Sequence, residues 1–137
     1  LVPMSKEIEY MQNYISLERL RLNNQIPIQF EVNGDPSEAR IAPLIMITFL
    51  ENAFKHGVDA NNPSSWVKVC VKVEGNNCSY SVENSKTKHV NSEPVERSGI
   101  GLRNVKRRLE LSYPNKFEMN VQDEQDRYKV DLKLNLS

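Results

Sequence analysis

The pattern of this 137-residue chain predicts an α/β domain, a two-layer sandwich with a mixed sheet. Three observations carry that expectation. Stretches such as "WVKVCVKV" (66–73) and "RYKVDLKLNL" (127–136) alternate apolar and polar residues with the period of half-buried strands. Others place apolar residues three and four apart, the signature of a helix with one buried stripe. After a leading helix the two kinds interleave as strand, helix, two strands, loop, helix, two strands, and one-faced strands with one-striped helices are satisfied by two layers.

The leading helix is read over residues 5–22, with Ile8, Met11, Ile15 and Leu22 on one stripe and Glu18 interrupting it. Ser5 is suited to cap it, and Glu7 falls in the first turn, where the helix dipole favours an acid. "IPIQFEV" (26–32) alternates as a strand and ends at the turn-rich "NGDPSE". A second helix is expected over 43–56, with Pro43 in its first turn and Gly57 at its C-terminus. Val67, Val69, Val71 and Val73 share one face of the next strand, and "GNN" turns into "CSYSVEN", where Cys78, Tyr80 and Val82 face inward. Residues 85–98 show no periodicity, and an aperiodic connection of that length is usually functional or disordered. A third helix is expected from about Gly101 to Tyr113, burying Leu102, Val105 and Leu109, followed by "KFEMNVQ" and the last strand.

Composition narrows the function. Lys and Arg total 18 and Asp and Glu total 18, so the formal charge is zero, which argues against a nucleic-acid partner. The basic run "RNVKRR" (103–108) reads as a solvated helix face. Cys70 and Cys78 show no metal-ligand spacing and read as ordinary thiols of a reducing compartment. No apolar run approaches the ~18 residues of a membrane span, so this segment is not expected to be membrane-embedded. "LVPMSKEIEYM" lacks the apolar core of a signal peptide.

Three constellations bear on chemistry. In the second helix, Thr48, Asn52, Lys55 and His56 form a polar stripe on an otherwise apolar cylinder. One reading is a solvent face with a Glu51–Lys55 ion pair; the other is the wall of a pocket, where an amide oxygen suits Mg²⁺ and an ammonium suits phosphate. In "SGIGLRNVKRRL" (98–109), Gly99 and Gly101 lie between the long connection and a helix start, where backbone N–H groups cradle phosphate. In "SVENS" (81–85), strand phase puts Asn84 inward, as a turn cap or as a reader of a purine amino group, and turns Glu83 outward.

The order of these features resembles the Bergerat ATP-binding fold of the GHKL superfamily, over essentially the whole chain. More closely, the chain resembles the catalytic domain of sensor histidine kinases that partner LytTR-type response regulators. "FLENAFKHG" resembles that family's N box, "VENS" a degenerate first Gly box, "GIGLRNVKRRLELSYP" the second, and "EIEYMQNYISLERLRL" the helix leading out of the dimerisation segment. The resemblance implies a helix fragment over 1–24, an ATP-binding domain over 25–137 and an ATP lid over about 85–98. It implies ATP and Mg²⁺ as cofactors, with Asn52 on the metal, Lys55 on phosphate and His56 beside it. Gly99, Gly101 and Leu102 would close on the nucleotide, and Asn84 would stand where the superfamily's Asp-x-Gly reads adenine.

The activity implied is transfer of the ATP γ-phosphoryl to a histidine outside this chain. Only His56 and His89 occur, neither on a plausible acceptor helix, so the isolated chain is not expected to autophosphorylate. Glu51 is a candidate to polarise the acceptor imidazole. Related hydrolases carry a Glu one turn before the Asn; Thr48 occupies that position here, which disfavours hydrolysis. Implied partners are the protein's own upstream dimerisation and phosphoacceptor segment, a LytTR-type regulator, and a second copy in a full-length homodimer. The implied setting is the cytoplasmic part of a bacterial inner-membrane sensor. Alternatives are a degenerate docking module without nucleotide and an anti-sigma-type serine kinase.

Overall fold

A computed structural model of the chain describes residues 1–58, 64–86 and 95–137. The elements are Val2–Pro3 (β1), Met4–Arg21 (α1), Ile28–Gly34 (β2), Arg40–Ile41 (β3), Ile45–Gly57 (α2), Val67–Glu74 (β4), Asn77–Ser85 (β5), Val95–Ser112 (α3), Phe117–Asp123 (β6) and Arg127–Asn135 (β7). Five strands form one sheet in the order β2-β4-β5-β7-β6, and β1 pairs with β3 in a separate two-stranded ribbon. β2 runs parallel to β4 and the other pairs of the large sheet are antiparallel, so the sheet is mixed, as the sequence pattern requires.

The alternation in β4 explains the layering. Val67, Val69, Val71 and Val73 are buried while Lys68, Lys72 and Glu74 are exposed, so one face of the sheet meets the helices and the other meets solvent. β5 contributes Cys78, Tyr80 and Val82 to the same face, and β7 contributes Val130, Leu132 and Leu134. Opposite them lie Met4, Ile8, Met11 and Ile15 of α1, most of α2, and Val105 and Leu109 of α3. Tyr80 ties the layers together: its hydroxyl donates to the Met46 carbonyl at 2.8 Å, and its ring meets Phe49 edge-on at 6.1 Å.

Every helix start differs from its sequence expectation. α1 begins at Met4 with Pro3 as its cap position and no side-chain cap, so Ser5 lies inside the helix. Long-range pairing decides this: β1 is held against β3, and the Met4 N–H donates to the Ala39 carbonyl at 2.8 Å. α2 begins at Ile45 rather than at Pro43, because Leu44 takes the left-handed conformation at φ 66°. α3 begins at Val95, so Gly99 and Gly101 stand within the helix and not ahead of it. The intervening "VERS" holds no helix breaker, and Pro94 directly before it is a residue suited to a helix start.

Gly34 is required at its position. Its φ is +84° and an added Cβ would stand 1.9 Å from the Val73 carbonyl oxygen, where β2 closes against β4.

Burial raises several acidic protons. Desolvation pushes the Cys78 thiol up to about 11. Tyr14 and Tyr128 rise to about 12, each first through burial, and fully buried Tyr80 is raised well above its ordinary value for the same first reason. Groups whose folded pKa exceeds the unfolded value stabilise fully below the unfolded value and lose that contribution as pH rises through the folded one. Urea-unfolding midpoints are therefore expected to fall steadily from about pH 9 to about pH 12. Cys78→Val should remove the earliest part of the decline; a flat profile in the wild type would contradict the assignment.

Candidate functional site

The α2 helix is buried on nearly every side. Ile45, Met46, Ile47, Phe49, Leu50, Ala53 and Phe54 are all within the core. Thr48, Glu51 and Asn52 are half-buried and Lys55 is exposed, so the polar stripe exists and lies toward the helix C-terminus. The His56 side chain lies outside the described residues. The Thr48 hydroxyl donates to the Leu44 carbonyl at 2.6 Å, which occupies it within the helix. No Glu51–Lys55 ion pair occurs among the described residues.

Glu51 acts electrostatically on α1. Its charge is one of those that raise the Tyr14 phenol, behind burial and Glu18, and the Tyr14 ring packs edge-on against Phe54 at 5.6 Å. Phe54, one turn after Glu51 on the same face of α2, therefore packs against the leading helix.

The start of α2 is held by side chains from three distant places. Buried Glu7 of α1 accepts the Leu44 N–H through Oε1. Arg108 of α3 donates to the Pro43 and Leu44 carbonyls. The Tyr113 hydroxyl oxygen accepts the Ala42 N–H at 2.9 Å. This cluster fixes how the helix that bears Asn52 sits on the sheet. The sequence reading gave Glu7 only a dipole role, although its spacing from Met4 and Met11 places it on the buried stripe of α1. Arg108 was read within a solvated run, and Arg103, Lys106 and Arg107 are indeed exposed.

Asn84 lies on the inner face of β5, as its phase predicts, and is 3% exposed. Its Nδ2 donates to the Ser85 carbonyl at 2.9 Å, and no described residue donates to its Oδ1. A buried amide oxygen without a donor is uncommon in native structures. Its cross-strand neighbours are Val67 on β4 and Tyr128 on β7. Glu83 faces outward and pairs with Arg127 at 3.3 Å.

Ser85 closes β5 and residues 95–98 open α3; of the connection between them, residues 87–94 lie outside the described residues. Lys86 is anchored at the exit of β5, its N–H donating to the Asp126 carbonyl at 2.9 Å and its ammonium paired with Asp123. Leu102 is half-buried against the core. With α3 starting at Val95, the helix's free backbone N–H groups belong to its first four residues, upstream of both glycines.

No family model matches the chain. The sensor histidine kinase BtsS of Escherichia coli K12 is 24% identical over 135 residues, 97% of this chain and 24% of BtsS. The sensor protein LytS of Bacillus subtilis is 30% identical over 71 residues, 52% of this chain and 12% of LytS. Among solved structures, the catalytic domain of histidine kinase ThkA superposes with a TM-score of 0.67 at 14% identity, covering 98% of this chain and 92% of that one. The fold is therefore that of histidine-kinase catalytic domains, and the sequence is similar to sensor histidine kinases over nearly its whole length. A mycobacterial sensor histidine kinase, MprB, gives a TM-score of 0.60 at 18% identity over 93% of both chains. The chain spans about a quarter of the length of the BtsS relatives it matches. No helix among its described residues is long and apolar enough to cross a membrane.

Proposed function

We propose that this domain binds Mg²⁺-ATP and transfers the γ-phosphoryl group to a histidine on a segment outside this chain, as part of a two-component sensor kinase. The observation that carries the reading is the buried Asn84 amide oxygen, to which no described residue donates, on the inner face at the end of β5, together with the half-buried Asn52 on the polar stripe of α2. An amide oxygen accepts from the adenine amino group, and a second is a hard donor of the kind Mg²⁺ prefers. Lys55 and His56 are assigned to the phosphates. Gly99, Gly101 and Leu102 are assigned to the same end of the nucleotide, with the N-terminal turn of α3 offering N–H groups there.

The bound Mg²⁺-ATP would supply the phosphoryl group and the charge neutralisation; the domain's residues position it. The reaction breaks the bond between the γ-phosphorus and the β–γ bridging oxygen, forms a phosphorus–nitrogen bond to the imidazole, and releases ADP. Glu51 is the carboxylate assigned to the acceptor imidazole. Thr48 offers no carboxylate for activating water, and its hydroxyl is engaged by Leu44, which supports transfer over hydrolysis. The partners assigned are an upstream phosphoacceptor and dimerisation segment, a second copy of the full-length protein, and a LytTR-type response regulator. The location assigned is the cytoplasmic side of a membrane-bound parent.

Calorimetric titration with a non-hydrolysable ATP analogue tests this. The wild type is expected to bind only with Mg²⁺ present, and Asn52→Ala to lose at least about tenfold in affinity. Equal and negligible binding by both proteins would favour a docking module without nucleotide.

A further inference from the structure

We propose that Ser85 is a positioning residue that locks the Asn84 carboxamide and thereby sets selectivity for adenine over guanine nucleotides. The proposal rests on the nucleotide-site reading above.

The β4–β5 ladder pairs Val67 with Asn84, and one step further Trp66 and Ser85 face each other. The Ser85 N–H donates to the Trp66 carbonyl at 3.1 Å, as a ladder bond would. The return bond is different. The Trp66 N–H donates to the Ser85 Oγ at 2.9 Å, and the Ser85 hydroxyl lies 3.4 Å from the Trp66 carbonyl. A side-chain oxygen thus takes the place of the Ser85 carbonyl in the ladder. That carbonyl is left to accept Nδ2 of Asn84 at 2.9 Å.

The consequence is chemical. A free carboxamide can turn over and present either a donor or an acceptor. Here turning it over would set Oδ1 against the Ser85 carbonyl, two acceptors face to face in a site where Asn84 is 3% and Ser85 6% exposed. Asn84 therefore presents an acceptor only, the hydrogen-bonding character of a carboxylate without its charge. Adenine offers an amino donor at its 6-position; guanine offers a carbonyl there, which this acceptor repels.

Removing the hydroxyl releases the lock, because the Trp66 N–H can then recapture the Ser85 carbonyl. The test measures ATP and GTP affinities for the wild-type chain, Ser85→Ala, Ser85→Thr and Asn84→Ala with Mg²⁺ present. Wild type and Ser85→Thr, which keeps the hydroxyl, are expected to prefer ATP. Ser85→Ala is expected to lower the ATP-to-GTP preference about tenfold, with GTP binding rising as ATP binding falls. A purely structural role would weaken both nucleotides together and leave the ratio intact. If Ser85→Ala does not fold, Ser85→Cys, similar in volume but a weak acceptor, carries the same expectation. An unchanged ratio in the Ser85 variants, with Asn84→Ala still losing ATP, overturns the role of Ser85 alone. A wild type that binds neither nucleotide overturns the nucleotide-site reading itself.

Discussion

Glu7→Ala is expected to cost about 3 kcal/mol of stability, with a fall in melting temperature of about 10 °C. Glu7 is 4% exposed, and its carboxylate accepts the N–H of Leu44, a residue held at φ 66° with no side-chain cap on the helix that follows. Truncation leaves that half-buried N–H without its acceptor and opens a gap in the buried α1 face between Met4 and Met11. Glu7→Gln keeps an acceptor oxygen of the same reach and is expected to lose less than half as much. Thermal denaturation of the three proteins decides it, and equal stability of wild type and Glu7→Ala would show that the contact contributes nothing. Because Glu7 holds the start of the helix that carries Asn52, nucleotide affinity should fall with the Ala substitution well below its melting temperature.

The second large effect runs against the pattern of the superfamily that the sequence resembles. Asn84→Asp restores the residue type found in Asp-x-Gly, yet here it is expected to destabilise the domain by about 3 kcal/mol and to weaken nucleotide binding. The substitution removes the donor that meets the Ser85 carbonyl and sets a carboxylate oxygen against it, in a position 3% exposed. Among the described residues no cation pairs with that side chain. Urea unfolding and calorimetric titration of the variant give the check. A variant as stable as wild type with tighter ATP binding would mean that the carbonyl is free to turn away.

The extent to which the sequence was legible follows the range of the interactions. β4 could be read because alternation depends only on neighbours two residues apart, and its four valines are all buried. The stripe at Thr48, Asn52 and Lys55 and the inward phase of Asn84 were legible for the same reason. The helix starts were not, since Met4 is placed by Ala39 and Leu44 by Glu7 and Arg108. Gly99 and Gly101 suggested a helix boundary by residue type, but nothing upstream in "VERS" stops the turn, and α3 runs through both. The exchange of a backbone carbonyl for the Ser85 hydroxyl has no sequence signature, because serine is ordinary in a strand end.

The cluster at the start of α2 also bears on how the chain folds. Its bonds join residues 37, 64, 65 and 71 positions apart, so each must wait for either α1 or the α3 segment to be brought to the middle of the chain. An α2 start with no cap of its own has little to nucleate it locally, and contacts of such long sequence separation are made late and slow the reaction. The helix that bears Asn52 thus acquires its final placement only when α1 and α3 have docked, and the wall of the proposed site would be completed in the same cooperative step as the fold.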